Sequence, residues 1–85
     1  MLLAEEALAI LRDQCVRATW ELNVAQNLVV VHSELGSAPA IARAIDRTEH
    51  PRVVATLAGD DTCLVVTRDE KDARALAGQL ADAMS

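Results

Sequence analysis

The apolar residues of this chain recur at two different periods, and the order in which those periods alternate leaves few ways to fold it. From Cys15 to Leu22 they alternate, with Val16, Ala18, Trp20 and Leu22 on one side and Arg17, Thr19 and Glu21 on the other. That is the pattern of a half-buried strand. Asn23 to Gln26 read as a polar break, and Asn27 to His32, rich in valine, as a second strand paired with the first in an antiparallel hairpin. The period then lengthens. Gly36 and Ser37 punctuate the chain, Ser37 is placed to cap a helix, Pro39 is tolerated in a first turn, and Ala38, Ile41, Ala42 and Ile45 form one stripe. These features predict a helix over residues 38–47. A second cycle follows: a strand from Val53 to Ala58, a tight turn at Gly59-Asp60-Asp61, and a strand from Thr62 to Thr67. After the polar stretch Arg68 to Asp72, the spacing of Ala73, Leu76, Ala77, Leu80 and Met84 predicts a last helix. At the other end, Leu3, Ala7, Leu8 and Leu11 behind acidic Glu5 and Glu6 predict a short amphipathic helix over residues 2–13.

Two hairpin-helix units in succession favour an α+β sandwich. The expected fold is a four-stranded, mainly antiparallel sheet covered by helices on one face, ββαββα with an additional N-terminal helix. Residues 1–14 read as the N-terminal helix or linker remnant and residues 15–85 as the core of a single domain. At 85 residues one core only narrowly outweighs ordering entropy, so association with further copies is expected. Trp20 is the one aromatic residue in a chain that is 52% hydrophobic. The core must therefore be aliphatic, and many small flat contacts suit repeated subunit interfaces.

Charge excludes other roles. With 8 basic and 13 acidic residues the formal charge is −5, the wrong sign for neutralising phosphates, and neither Phe nor Tyr is present for base stacking. These residues are not expected to bind DNA or RNA. Cys15 and Cys63 lack Cys-x-x-Cys spacing, the first residues lack the order of a signal peptide, and the apolar runs are too short to span a bilayer. The sequence reads as that of a reduced, cytoplasmic protein.

The residues richest in chemistry are Asp60 and Asp61. Two carboxylates at a hairpin tip can both reach outward to a cation, and the forked donors of a guanidinium match them. Free arginine adds an α-ammonium group as a second cationic end. Gly-Asp-Asp is also ordinary turn chemistry, and physics alone leaves both readings open. His32 and His50 have no spaced set of further ligands, so no metal is expected. Cys63 falls on an apolar strand, where a small buried side chain is the expected role. Nothing marks a catalytic base, a cleft or a split acid/base pair, and no catalytic residue is assigned.

The run from Thr56 to Thr62 resembles the signature of the bacterial arginine repressor's C-terminal domain, Gly-Thr-Ile-Ala-Gly-Asp-Asp-Thr, with Leu57 for the isoleucine and Ala55 for the leading glycine. Asn27 to Val31 resembles that family's second strand, Ala38 to Asp46 its helix, and Pro51 to Val54 the entry to the signature strand. The likeness covers about residues 15 to 83. It implies an oligomerisation and L-arginine-sensing domain of a transcriptional regulator, a trimer pairing face to face into a hexamer with L-arginine where the trimers meet. On that resemblance Asp60 and Asp61 supply the ligand carboxylates, and Thr56, Ala58, Ala38 and Pro39 line the site. DNA would be reached only through an N-terminal domain that is not expected within these residues, which read either as an excised domain or as a natural short form. Pro39 stands where the family's polar side chain helps hold the ligand, and proline has nothing to donate. The alternative is therefore a structural oligomerisation module that has lost arginine control; a small enzyme on a similar sandwich is the third reading.

Overall fold

The computed structural model describes residues 21–84. Strand β1 (Glu21–Ala25) and strand β2 (Leu28–His32) form the first hairpin, helix α1 (Ala38–Arg47) follows, β3 (Ala55–Ala58) and β4 (Thr62–Val66) form the second hairpin, and α2 (Glu70–Met84) ends the order. The strands lie in the order β1-β2-β4-β3, every neighbouring pair antiparallel. This is the expected α+β sheet with its helices. The helix expected over residues 2–13, most of the strand expected from Cys15, and Trp20 lie outside the described residues.

The register explains the layering. Leu22, Val31 and Cys63 lie opposite one another across three strands, as do Val24, Val29 and Val65. Val29, Val31, Cys63 and Val65 are fully buried with Ala38, Ile41, Ala44 and Ile45 of α1 and Ala73, Leu76 and Leu80 of α2, while Leu22 and Val24 pack at the margin. Helix α1 lies against β3 and β4, and α2 against β1 and β2. The alternate residues face away from the helices. Leu28, Val30, Leu64 and Val66 are half-buried there and Leu57 is exposed, so the open face of the sheet is itself apolar.

Local details differ from expectation in four places. Strand β1 runs through Ala25 instead of breaking at Asn23, because Val24 continues the inward alternation of Leu22 and Asn23 simply faces out. The connection is then two residues, with Gln26 at φ 54°. Strand β3 begins at Ala55, two residues later than expected, although the Val54 amide still donates to the Val66 carbonyl at 2.8 Å. Helix α2 begins at Glu70, inside the expected polar stretch, because the Asp69 carboxylate accepts from the Asp72 amide at 2.7 Å and acidic Glu70 and Asp72 suit a first turn. Ser37 does sit at the N-cap of α1, but its hydroxyl donates to the Glu34 carbonyl at 2.7 Å and caps no helical amide.

Buried polar groups are matched. The Asn27 amide nitrogen donates to the Thr67 carbonyl, and both the amide and the hydroxyl of Thr67 reach the Asn27 carbonyl at 2.9 and 2.8 Å, which fastens the end of β4 to the first hairpin. His50 is buried, its Nδ1 accepting from the Arg52 amide at 3.1 Å, which leaves Nε2 to donate to Gln79 Oε1 of α2. Because the described core is packed from aliphatic side chains and Cys63, truncation should be felt strongly. Leu76→Ala is expected to lower unfolding free energy by about 3 kcal/mol, read as a shifted urea midpoint with an unchanged slope.

Candidate functional site

Residues 59–61 form the turn between β3 and β4, closed by the Gly59 amide donating to the Thr62 carbonyl at 2.8 Å. The turn is docked onto the loop between β2 and α1. The Asp61 carbonyl accepts from the Ser33 amide at 2.7 Å, and the Asp60 carbonyl accepts from the amides of Gly36 and Ala38 at 2.9 and 3.3 Å. Gly36 holds φ 86°, a backbone that side chains rarely adopt, so glycine is required where this loop turns to meet Asp60. The two carbonyls are thus fixed while the two carboxylates point elsewhere.

Both acids are exposed, and among the described residues neither has an ion-pair partner. Asp61 Oδ1 accepts from the Thr62 hydroxyl at 3.1 Å, and that hydroxyl also meets His32 Nδ1 at 3.2 Å. His32 is exposed and held in this chain of hydrogen bonds. Gly59 is not demanded by its backbone, and a Cβ there would meet only the Thr62 carbonyl at an ordinary 3.7 Å. Glycine here leaves one side of the turn bare beside two uncompensated carboxylates.

The turn also brings two further candidates together. Ala38 is buried at the start of α1 with its amide on Asp60, and Pro39, next along the helix, is exposed. Thr56 and Ala58 lie elsewhere, half-buried on β3 on the side facing α1. The Thr56 hydroxyl donates to Asp46 Oδ1 at 2.8 Å, near the end of α1 opposite to Pro39. Thr56 lies within β3, four positions before Asp60, which already belongs to the turn. The candidates therefore form two groups, one around the turn and one around Thr56.

Asp46 was not singled out in the sequence, where it only marks the end of the stretch that resembles the family's helix. Its pairing with Thr56 follows from α1 lying across β3, which the sequence does not show. Asp46 also borders a cleft of about 260 Å³ with Glu49, His50, Val54 and Ala55. That concavity lies at the Thr56 group, not at the acidic turn.

Cys63 is fully buried on β4, and burial, with the Asp46 charge adding to it, pushes its thiol up from 9.0 to about 11. A thiol kept protonated is a poor nucleophile. Among the described residues no group of three or more His, Cys, Asp or Glu side chains is placed to hold a metal, and no helix is long and apolar enough to cross a membrane.

These features define an open-faced ββαββα domain whose acidic hairpin tip is clamped to a helix start. Residues 15–82 match the arginine repressor C-terminal domain, and the chain belongs to that family. Similar proteins include arginine repressors of Anaeromyxobacter sp. (strain Fw109-5), 55% identical over 56 residues that cover 66% of this chain and 35% of the relative, and of Koribacter versatilis, 44% identical over 61 residues covering 72% and 41%. The arginine repressor of Desulforudis audaxviator is 32% identical over 81 residues, 91% of this chain and 54% of its own length. The matched part of this chain spans about a third to a half of these relatives. All three carry the name of a repressor, not of an enzyme.

The thiol offers a check on the packing under the turn. In a Cys15→Ser background, Cys63 should alkylate far more slowly at pH 8 in the folded protein than in urea. Its raised value means the folded state keeps a proton the unfolded state releases, so the corresponding stability is complete below pH 9 and is lost as pH rises toward about 11. Cys63→Ala should flatten that decline in a pH series of unfolding curves.

Proposed function

We propose that this domain is the oligomerisation and L-arginine-sensing part of a cytoplasmic transcriptional regulator of arginine metabolism. It assembles as trimers that pair into a hexamer with arginine between them, and it acts on DNA through an N-terminal domain. The observation that carries the reading is the Gly59-Asp60-Asp61 turn, which holds two carboxylates without a cationic partner among the described residues on a rigid mount, inside a run that follows the family's signature.

The two-part geometry supports a site shared between copies. The acidic turn and the Thr56–Asp46 pair lie on different elements of one copy, and a shared interface brings the turn of one copy to the pair of the next. Acids crowded across such an interface repel one another, and a cationic ligand offsets that repulsion while gaining charge-assisted hydrogen bonds. Binding and assembly are then linked. The apolar open face of the sheet supports assembly independently, since Leu28, Val30, Leu57, Leu64 and Val66 form a patch that another copy can cover.

Pro39 favours a second reading. It is exposed beside the clamped turn and donates no hydrogen bond, and a module that keeps its assembly surfaces without arginine control is consistent with that position. Calorimetric titration separates the two. L-arginine should bind the 85-residue chain, Asp60→Asn and Asp61→Asn should each weaken binding by at least about tenfold with the fold intact, and citrulline, which keeps the shape and loses the charge, should bind poorly. Equal affinity in both variants would remove the site, and no binding by the unaltered chain would favour the purely structural module.

A further inference from the structure

His32 ends β2 on the open face of the sheet, opposite Glu21 of β1 and Thr62 of β4. Its Nδ1 lies 3.2 Å from the Thr62 hydroxyl, and that hydroxyl lies 3.1 Å from Asp61 Oδ1. A hydroxyl carries one hydrogen, and an ionised carboxylate only accepts. The hydrogen of Thr62 is therefore committed to Asp61, and the contact with His32 exists only if the ring donates. That fixes the tautomer, since Nδ1 carries a proton in either charge state of the ring. His50 has the opposite arrangement, its Nδ1 accepting from the Arg52 amide and its Nε2 donating to Gln79. The fold does not require the link from His32 to Asp61. His32 is exposed, and β2 and β4 pair through their backbones up to His32 and Thr62 without it.

We propose that His32 is a positioning residue of the arginine site, aiming the Asp61 carboxylate through the Thr62 hydroxyl. The inference rests on the reading that Asp61 holds L-arginine. The amides of Ser33, Gly36 and Ala38 fix the backbone of the turn, but that mount stops at the carbonyl oxygens and leaves the Asp61 side chain to rotate. The hydroxyl of the next residue removes part of that freedom. By itself such a hydroxyl turns as readily to water. A donor on its oxygen directs its hydrogen toward Asp61 and polarises the O–H bond, which strengthens the bond that it donates. Oδ1 is then held, the rest of the carboxylate is left to the ligand, and a guanidinium meets an acid already oriented. His32 acts on the ligand only through Thr62.

The test is calorimetric titration of the 85-residue chain with L-arginine. His32→Ala should weaken binding about fivefold and Thr62→Val to a similar extent, while His32→Asn, with an amide nitrogen at the position of Nδ1, should stay within about twofold of the unaltered chain. The double variant should lose no more than Thr62→Val alone, because both changes break one link. Unchanged affinity in His32→Ala, no rescue by His32→Asn, or losses that multiply to about 25-fold in the double variant would overturn the role of His32 while the arginine reading stands. Nitrogen-15 NMR of the neutral rings reads the tautomers without ligand. His32 should carry its proton on Nδ1 and His50 on Nε2, and two Nε2 tautomers would overturn the proposal whether or not arginine binds. Failure of the unaltered chain to bind L-arginine would overturn both readings.

Discussion

The geometry of the candidate site depends on two backbone oxygens. The carbonyls of Asp60 and Asp61 accept amides from Ser33, Gly36 and Ala38, which ties the tip of the second hairpin to the loop leaving the first and to the start of α1. Without those bonds the turn would be an exposed hairpin end, free to move about its own strands. With them, the carboxylates stand on a mount shared by three segments distant in sequence, and orienting them costs little when a ligand arrives. Gly36, at φ 86°, is the conformational condition for that mount.

The rest of the fold supplies the stiffness beneath the turn. The core joins valines and Cys63 of the central strands to isoleucine, leucine and alanine of the helices, and its members are close to fully buried. Aliphatic packing of this kind holds the two hairpins in one sheet through β2 and β4, the pair that joins them. It uses one face of the sheet. The other presents apolar side chains outward, and a domain this small gains by covering them with further copies of itself.

Much of this was legible in the sequence because hydrophobic period reports local structure directly. The bounds of α1, the two hairpins, the final helix and the burial of Cys63 all followed from spacing. What misled was local polarity: Asn23 looked like a break although it only faces outward, and Arg68 to Asp72 looked like loop although Asp69 caps a helix there. The site was legible in part. Asp60 and Asp61 stood out by composition and by likeness, but the contact of their turn with Ala38 and the pairing of Thr56 with Asp46 are long-range. No period announces such contacts. Asp46 carries no mark in the sequence, and only α1 lying against β3 brings it to Thr56 and to the cleft at the helix end.

The central claim is that arginine and assembly are coupled through a site completed by a second copy. Sedimentation velocity of the 85-residue chain with and without millimolar L-arginine reports both at once. A trimer converted toward a hexamer, or a hexamer that resists dilution only when arginine is present, is the predicted result. An oligomer of unchanged size and stability would contradict the coupling, and a persistent monomer would contradict the assembly on which the shared site rests.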